Sequence, residues 1–351
     1  MTIADLMRIA RQERASDIHI TEKRNPIFRI DGTLRETQYA LSSQEKVALI
    51  LSMLSDTQRE AIHNGEDVDM AYTIDGNLRH RVNVFHQQKS LACVIRIINA
   101  HTPTFEELNT PEAIRKLVDE PRGLILVTGP TGSGKSTTLA AMINHINERR
   151  ACHILTVEDP VEYVYTQKQS LIHQRDVGSD VPSFSHALRS AMREDPDVIL
   201  VGEMRDYETI SAAVTAAETG HLVLSTLHTT GAASTVDRII DVFPPHNQQQ
   251  IRTQLASVLK GVITQTLVPK ATGQGRVAAF EIMLGNDAVL NLIRENKCHQ
   301  LNSTIQTGTK QGMVLLDNSL AQLVRSGTIK IEAALEKVHN RVEFMSEVQR
   351  V

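Results

Sequence analysis

The chain contains 351 residues, of which 41% are hydrophobic and 22% are charged. This composition is typical of a folded globular protein and excludes a wholly disordered chain or a collagen-like fibre, and the length favours two domains. Because 41 acidic residues outnumber 37 basic ones, the net charge is −4, which argues against a dedicated nucleic-acid-binding protein.

The three cysteines, Cys93, Cys152 and Cys298, are far apart in the sequence. They cannot form a disulfide framework or a CxxC zinc site within one chain, so we expect buried or inert thiols in a reducing compartment. No apolar run approaches the roughly 18 residues needed to span a bilayer, and the N-terminus lacks the apolar stretch of a signal peptide. The sequence therefore predicts a soluble protein that reaches a membrane only through a partner.

Residues 1–98 predict an α+β domain. The N-terminal stretch has the spacing of an amphipathic helix, with one apolar face made of Ile3, Leu6, Met7 and Ala10. One further helix is expected from Ser42 to about His63, opened by a serine cap. Strands are expected at 18–20, 27–30, 68–74, 79–86 and 90–98, with turns at Asp31-Gly32 and Asp75-Gly76.

Residues 99–112 are expected to form a linker, because they contain prolines and show no sustained periodicity. From 113 to 351, short apolar runs alternate with helical patterns, which predicts an α/β domain with a parallel sheet covered on both faces. From about residue 287 the spacing is helical throughout, which predicts a helical C-terminal subdomain. The strand-like runs lie at 123–129, 153–157, 198–201 and 222–227.

A phosphate-binding motif follows the first of these runs. Residues 129–136 read GPTGSGKS, a full match to GxxxxGK[ST] placed between a strand and a helix. Backbone N–H groups of such a loop and the following helix N-terminus bind a polyphosphate. Lys135 would contact the β- and γ-phosphates of a nucleoside triphosphate, and the Ser136 hydroxyl would bind Mg²⁺. The expected nucleotide-binding residues are Gly129, Pro130, Thr131, Gly132, Ser133, Gly134, Lys135, Ser136 and Thr137.

Carboxylates follow the second and third strand-like runs. Glu158, Asp159 and Glu162 stand after the second run, at the strand end where α/β sheets bind ligands; a solvated loop is the alternative. Glu203 stands after the third run, with Gly202 where such a strand usually carries aspartate. A carboxylate beside Mg-ATP suits polarising the attacking water or holding Mg²⁺ through water; a helix N-cap is the alternative.

Two histidines flank the fourth run. His228 stands at its C-terminal end, where it can approach the γ-phosphate, whereas His221 is expected to begin the strand or to pack. A metal site shared by both is not expected, because their spacing along an extended strand places the side chains on opposite faces.

In combination, these blocks resemble the secretion ATPase superfamily, the motors of type II secretion and type IV pili. The resemblance covers essentially the whole chain and implies a PAS-like N-terminal domain and a RecA-like P-loop ATPase domain. It also implies a homohexameric ring that binds ATP and Mg²⁺ between domains. The matching segments are ASDIHI (15–20), FRIDG (28–32), GPTGSGKST (129–137), TVEDPVE (156–162), LRSAMREDPDVILVGEMRD (188–206), TGHLVLSTLHT (219–229) and IQTGTKQGM (305–313).

The resemblance also implies roles for individual residues. Glu203 would activate or orient water, His228 would sense the γ-phosphate, and Asp159 would join Ser136 at Mg²⁺. Glu158 and Glu162 would support the same site.

Two arginine fingers are implied as well, at Arg81 and Arg96, which would reach the nucleotide from a neighbouring domain. Arg79 lies on the same strand face as Arg81 by the period of two, so the choice between these two stays open. Exposed arginines on strands are otherwise ordinary solvated residues.

Within the superfamily the chain resembles the pilus retraction branch, the PilT family. It begins almost directly with the PAS-like domain and lacks the four-cysteine zinc motif of assembly and secretion ATPases. Residues 288–295, AVLNLIRE, resemble the AIRNLIRE motif of that branch, with Val289 in place of isoleucine and Leu290 in place of arginine. The second change removes a charge, and a divergent paralogue is the alternative.

The resemblance implies retraction and disassembly of type IV pili for twitching motility, in the cytoplasm at the inner membrane. The implied partner is the inner-membrane pilus platform protein, and a paralogous retraction ATPase is a further candidate. The alternatives are a pilus assembly or accessory secretion ATPase, a nucleotide-gated ring without turnover, and a RecA-like nucleic-acid translocase. The last would need basic or aromatic stacking surfaces, whereas aromatic residues make up only 3%, so no nucleic acid is expected.

Overall fold

The computed structural model describes residues 1–30, 32–76, 78–98 and 101–349. It divides into two compact units. The first unit contains Met1–His101 and Pro160–Val164, and the second contains Thr102–Asp159 and Tyr165–Val351. The domain boundaries expected from the sequence, with a linker at 99–112, stay a prediction.

The described strands of the first unit form one sheet in which every neighbouring pair is antiparallel. The strand order is β3-β2-β1-β6-β5-β4, in which the strands are β1 (Asp17–Ile20), β2 (Ile27–Ile30), β3 (Thr33–Glu36), β4 (Val68–Ile74), β5 (Leu78–Gln87) and β6 (Ser90–Ile97). The expected strands are confirmed within one residue at each end. Strand β3 was not expected, because all its residues are exposed and it therefore lacks an apolar periodicity. Asp31 of the expected turn lies outside the described residues.

Three helices pack against this sheet, α1 (Ile3–Gln12), α2 (Ser43–Leu51) and α3 (Asp56–His63). The apolar face predicted for α1 is buried as expected. The prediction of one helix from Ser42 to His63 is wrong. The Ser55 side chain accepts a hydrogen bond from the Gln58 N–H, and the Gln58 side chain accepts one from the Ser55 N–H. This capping box begins a second helix.

The second unit contains a seven-stranded sheet in the described residues, with the order β13-β12-β7-β11-β10-β8-β9. Its strands are β7 (Gly123–Thr128), β8 (His153–Glu158), β9 (Leu171–Asp176), β10 (Val198–Val201), β11 (Leu222–Leu227), β12 (Leu259–Pro269) and β13 (Arg276–Leu284). The pairs from β12 to β9 are parallel, as expected. At one edge the β12–β13 hairpin adds an antiparallel strand that the sequence analysis did not predict.

Helices follow most strands of the second unit, and the helical pattern expected from about residue 287 is confirmed. Short 3₁₀ turns lie at Pro245–Asn247, Cys298–Gln300 and Thr309–Gln311. The helices are α4 (Glu112–Val118), α5 (Lys135–Arg149), α6 (Phe184–Ala191), α7 (Tyr207–Glu218), α8 (Ala232–Asp241), α9 (Gln248–Val258), α10 (Asp287–Arg294), α11 (Leu301–Thr307), α12 (Leu316–Arg325), α13 (Ile331–Leu335) and α14 (Arg341–Gln349).

The cysteines are unpaired thiols in the structure. Burial raises the pKa of both Cys93 and Cys298 to about 12, so the expectation of buried thiols is confirmed for these two. Cys152 is half-buried, and its Sγ lies 3.4 Å from the Ser170 hydroxyl. Across the described ranges, no helix combines the length and apolar character needed to cross a bilayer.

Candidate nucleotide-binding site

Four adjacent strands of the second unit, β7, β11, β10 and β8, run parallel, so their C-terminal ends meet at one edge of the sheet. This edge is where open α/β sheets bind ligands. The phosphate loop follows β7, His228 follows β11, Glu203 follows β10, and Glu158 ends β8. The fold thus brings together four segments that the sequence nominated separately.

The phosphate loop, residues 129–136, connects β7 to α5 with a backbone that requires glycine at defined points. Gly129 has φ 138° and Gly134 has φ 91°, a region that residues with a Cβ rarely adopt. A Cβ at Gly129 would also collide with the carbonyl oxygen of Gln265. At Gly129 the loop backbone therefore packs closely against β12.

Lys135, the first residue of α5, is only 9% exposed. Its Nζ donates hydrogen bonds to the carbonyl oxygens of Gly129, at 2.9 Å, and Pro130, at 3.1 Å. The ammonium group therefore lies across the mouth of the loop. The Ser133 hydroxyl is buried, and no hydrogen-bond partner for it is found among the described residues. A cation held by carbonyls, an orphaned hydroxyl and a helix N-terminus fit a bound polyphosphate.

Gln265 on β12 holds the phosphate loop in place and was missed by the sequence analysis. The residue is 1% exposed, its Nε2 donates to the Ser133 carbonyl at 2.7 Å, and its Oε1 accepts from the Thr138 hydroxyl at 2.8 Å. One strand position earlier, the Thr264 hydroxyl lies 2.8 Å from that of Thr128, the last residue of β7. No local signal marks Gln265, because its role depends on the pairing of β12 with β7.

A cavity of about 130 Å³ adjoins the N-terminal turn of α5. Both apolar side chains and polar or charged side chains line it, so it suits a flat group with polar edges. Its lining includes Asn109, Thr137, Leu267, Lys270, Arg276 and Phe280.

The three carboxylates expected after β8 have different surroundings. Glu158 is 9% exposed and accepts a hydrogen bond from the Thr156 hydroxyl at 2.7 Å. Asp159 is exposed. Glu162 belongs to Pro160–Val164, which groups with the first unit. The second unit therefore contributes Glu158 and Asp159 at this sheet edge.

Gly202 stands at a crowded point after β10, in the position where such a strand usually carries aspartate. Its N–H donates to the Val157 carbonyl at 2.8 Å, and a Cβ there would lie 3.3 Å from both that oxygen and the Glu158 Cα. On β11, the Thr226 hydroxyl donates to the Gly202 carbonyl at 2.6 Å. The next residue, Glu203, is therefore the carboxylate that β10 presents.

The structure brings Glu203 and His228 together, with Arg205 as a third member. The Glu203 Oε1 lies 2.7 Å from the Arg205 Nε, and its Oε2 lies 3.4 Å from the His228 Nε2. Arg205 was not nominated by the sequence analysis. His221 immediately precedes β11 at its other end, where the half-buried side chain donates from Nδ1 to the Ala216 carbonyl at 2.9 Å, so it packs beside the start of the strand.

In the first unit, Arg81 on β5 and Arg96 on β6 face each other directly across the strand pair. The Arg81 guanidinium pairs with Asp69 at 2.6 Å, and the Arg96 Nε lies 3.1 Å from an Asp17 oxygen. The Arg96 side chain is 66% exposed. Arg79 is half-buried two residues before Arg81.

No group of three or more histidine, cysteine or acidic side chains that could hold a metal ion occurs within the part of the chain that the structure describes. Mg²⁺ in nucleotide sites is usually held by substrate phosphates, waters and one or two protein oxygens. The Ser136 hydroxyl and the Asp159 carboxylate are donors of this kind. The donor set therefore fits Mg²⁺ that enters with a nucleotide.

The family model described as Type II/IV secretion system protein matches residues 1–349. Among curated proteins, "Type IV pilus retractation ATPase PilT" of Pseudomonas aeruginosa is 49% identical over 338 residues, covering 96% of this chain and 98% of that protein. "Twitching motility protein" of Neisseria gonorrhoeae is 51% identical over 316 residues, covering 90% and 84%.

Solved structures give the same picture of the fold. "Crystal Structure of the Pilus Retraction Motor PilT and Bound ADP" superposes with a TM-score of 0.91 at 44% identity, covering 98% of each chain. "X-ray structure of the Legionella pneumophila ATPase DotB" superposes with a TM-score of 0.82 at 29% identity, covering 96% of this chain and 95% of that one. The mixed α/β architecture with two sheets is shared over the whole length.

Proposed function

Since the chain belongs to the Type II/IV secretion system protein family, we propose that it is an ATP-hydrolysing motor that retracts type IV pili. The observation that carries the proposal is that the phosphate loop lies at the same sheet edge as Glu203 and His228, which contact each other. The relatives named for pilus retraction and twitching motility, at about half identity over most of their length, support the direction of movement.

The triphosphate of ATP lies in the phosphate loop. Backbone N–H groups of residues 129–137 and the N-terminus of α5 neutralise its charge, and the Lys135 ammonium group, now held by loop carbonyls, turns to the β- and γ-phosphates. Ser136 and Asp159 would hold Mg²⁺, which would neutralise charge on the phosphates. The base of the nucleotide occupies the cavity lined by Asn109 and Phe280.

The Glu203 carboxylate orients the attacking water and accepts a proton from it. Its carboxylate lies at the end of the strand beside β11 and is a quarter exposed, so water can reach it. His228 contacts the same carboxylate and senses the γ-phosphate. Glu158 and Glu162 support the water and Mg²⁺. Phosphoryl transfer requires mainly positioning and electrostatic stabilisation, and these side chains supply both without a covalent intermediate.

Arg81 and Arg96 complete the site when domains close in a homohexameric ring, and Arg79 is the alternative to Arg81. A finger on a separate domain couples hydrolysis to domain movement, and such arginines are worth about 10³–10⁵-fold in rate in other NTPases. The ring works in the cytoplasm at the inner membrane. Its movement turns the inner-membrane platform protein, so that pilin subunits leave the base of the fibre, and a paralogous retraction ATPase is a further partner.

Leu290 distinguishes this chain from the retraction motif that it resembles. It lies on α10 and packs, partly buried, against the core of the second unit, while Val289 is fully buried. An apolar contact therefore stands where the motif has an arginine. A paralogous assembly or accessory ATPase is the alternative function that this difference favours.

Replacing Lys135 tests the nucleotide site. Lys135→Ala should lower hydrolysis by about 10²-fold or more and weaken ATP binding, because no other side chain of the loop carries a positive charge. The fold should survive, since the loop is a surface element. The measurements are steady-state ATPase activity, ATP affinity and melting temperature. Lys116→Ala, at an exposed lysine of α4, is the matched control, and unchanged activity in Lys135→Ala would refute the site.

Deletion of the gene tests retraction. Cells without the protein should keep surface pili but lose twitching, and the wild-type gene, but not Lys135→Ala, should restore movement. Loss of surface pili would point instead to an assembly ATPase. Strong stimulation of ATP hydrolysis by DNA would point to a nucleic-acid translocase.

A further inference from the structure

A row of charged side chains crosses the sheet of the first unit. In the strand register, Arg29 on β2 faces Asp17 on β1, Asp17 faces Arg96 on β6, and Arg96 faces Arg81 on β5. Directly opposed residues of antiparallel strands share one face of the sheet. The neighbouring residues Ile18, Ile95 and Val82 lie in the unit's core, so the row lies on the opposite face.

Asp17 is the one carboxylate in this row and is only 9% exposed at its side chain. Its Oδ1 accepts a hydrogen bond from the Arg96 Nε at 3.1 Å, and its Oδ2 accepts one from the Ser16 hydroxyl at 2.8 Å. The Arg29 Nε lies 3.7 Å from Oδ2. A nearly buried carboxylate needs such partners, because an unpaired buried charge is costly.

The hydrogen bond to Asp17 uses the Nε of Arg96, and within the described ranges no hydrogen bond is found for the two terminal nitrogens of that guanidinium. The side chain is nevertheless two-thirds exposed. Asp17 therefore holds the guanidinium at Nε, and the exposed side chain leaves the two terminal nitrogens, the pair that can bind two phosphate oxygens, accessible to a ligand.

We infer that Asp17 is a positioning residue for ATP hydrolysis, which holds Arg96 in the orientation that an arginine finger needs. This inference rests on the proposed role of Arg96. A flexible arginine loses side-chain entropy when it contacts a transition state. A hydrogen bond at Nε orders the side chain before the reaction, so less entropy is lost at that step. A misplacement of about 1 Å in a catalytic group can cost about 10²-fold in rate.

A double-mutant cycle in the full-length protein tests the inference. Asp17→Ala should lower kcat by about 10-fold to 100-fold, with KM for ATP within about twofold of wild type, because the phosphate loop is unchanged. Asp17→Asn should lie between wild type and Asp17→Ala, since its side-chain oxygen still accepts from Nε. In an Arg96→Ala background, Asp17→Ala should cause no further loss.

The matched control is Asp75→Asn, which removes a carboxylate from an exposed ion pair with Arg8 in the same unit and should leave kcat unchanged. Melting temperatures of all variants separate a structural loss from a positioning effect. If Asp17→Ala lowered kcat by the same factor in the Arg96→Ala variant as in the wild-type protein, the inference would be wrong. It would also be wrong if Asp17→Ala had normal kcat while Arg96→Ala hydrolysed ATP slowly. Normal turnover in Arg96→Ala would overturn the finger assignment and the inference with it.

Discussion

Glu203 and Glu158 lie at the C-terminal ends of β10 and β8, two strands that pair in parallel. The surroundings of the two carboxylates differ. Glu158 is nearly buried and accepts a hydrogen bond from Thr156. Glu203 is more exposed and shares its oxygens with Arg205 and His228. A group that orients water must be reachable by water, so we expect the two carboxylates to differ in role, with Glu203 as the base.

Glu203→Gln should therefore bind ATP as wild type does but hydrolyse it about 10²–10⁴-fold more slowly, the usual contribution of a general base. The amide keeps the shape of the side chain and removes its negative charge. Single-turnover hydrolysis and ATP affinity measure the two effects separately. Glu158→Gln is the comparison: if it abolishes turnover while Glu203→Gln hydrolyses normally, the two roles are reversed.

His80 on β5 is a residue whose protonation depends on the fold. The side chain is fully buried, and the Arg11 Nε donates to its Nε2 at 3.3 Å, so its Nδ1 carries the proton and donates to the Tyr72 carbonyl at 3.3 Å. Burial, together with the positive charge of Arg11, lowers the pKa of His80 from 6.5 to about 4. The folded chain therefore keeps this imidazole neutral.

This shift predicts a loss of stability in mild acid. Between about pH 6.5 and pH 4 the unfolded chain binds a proton at His80 that the folded chain does not bind, so the stabilisation present above pH 6.5 falls as the pH is lowered. His80→Gln, which does not titrate, should lose less stability over this range. Urea denaturation followed by circular dichroism at several pH values measures this, and parallel pH profiles for the two proteins would contradict it.

At the scale of elements, β12 decides the shape of the phosphate loop. Gln265 connects the Ser133 carbonyl in the loop with the Thr138 hydroxyl on α5, and all three groups are buried. Its own carbonyl also closes off the space beside Gly129. The loop is therefore held by a strand that lies more than a hundred residues away in sequence.

Gln265→Leu should weaken ATP binding and lower stability by about 1–3 kcal/mol, because it leaves buried polar groups without partners. Thr264→Val is the matched control on the same strand. It removes the hydrogen bond to Thr128 and should lower stability without a comparable loss of ATP affinity. Isothermal titration with ATP and thermal denaturation measure the two quantities. If the two variants lost ATP affinity in the same proportion to their loss of stability, Gln265 would have only a structural role.

At the scale of the whole molecule, the proposed ring makes activity depend on assembly. Arg96→Ala should bind ATP normally and hydrolyse it far more slowly. Wild-type activity per subunit should rise with protein concentration, because dilute monomers lack the neighbouring domains that complete the site. Turnover measured over a dilution series, with the oligomeric state determined at each point, checks this. Constant activity down to a demonstrated monomer would exclude the ring mechanism.

The sequence by itself determined the features that depend on neighbours in the chain. The phosphate loop between a strand and a helix, the buried strand 198–201 and the apolar face of the first helix each follow from local spacing, and the structure has all three. The carboxylate at Glu203 and the histidine at His228 were also found, because both directly follow short apolar runs that predict buried strands.

Only the tertiary structure decided how these pieces meet. The pairing of β10 with β11 places Glu203 beside His228, and the pairing of β7 with β12 brings Gln265 to the phosphate loop. Asp17 faces Arg96 because β1 lies next to β6, although 79 positions separate the two residues. Strand pairing depends on packing across the whole domain more than on local propensity, so these contacts cannot be derived from the local spacing of residues.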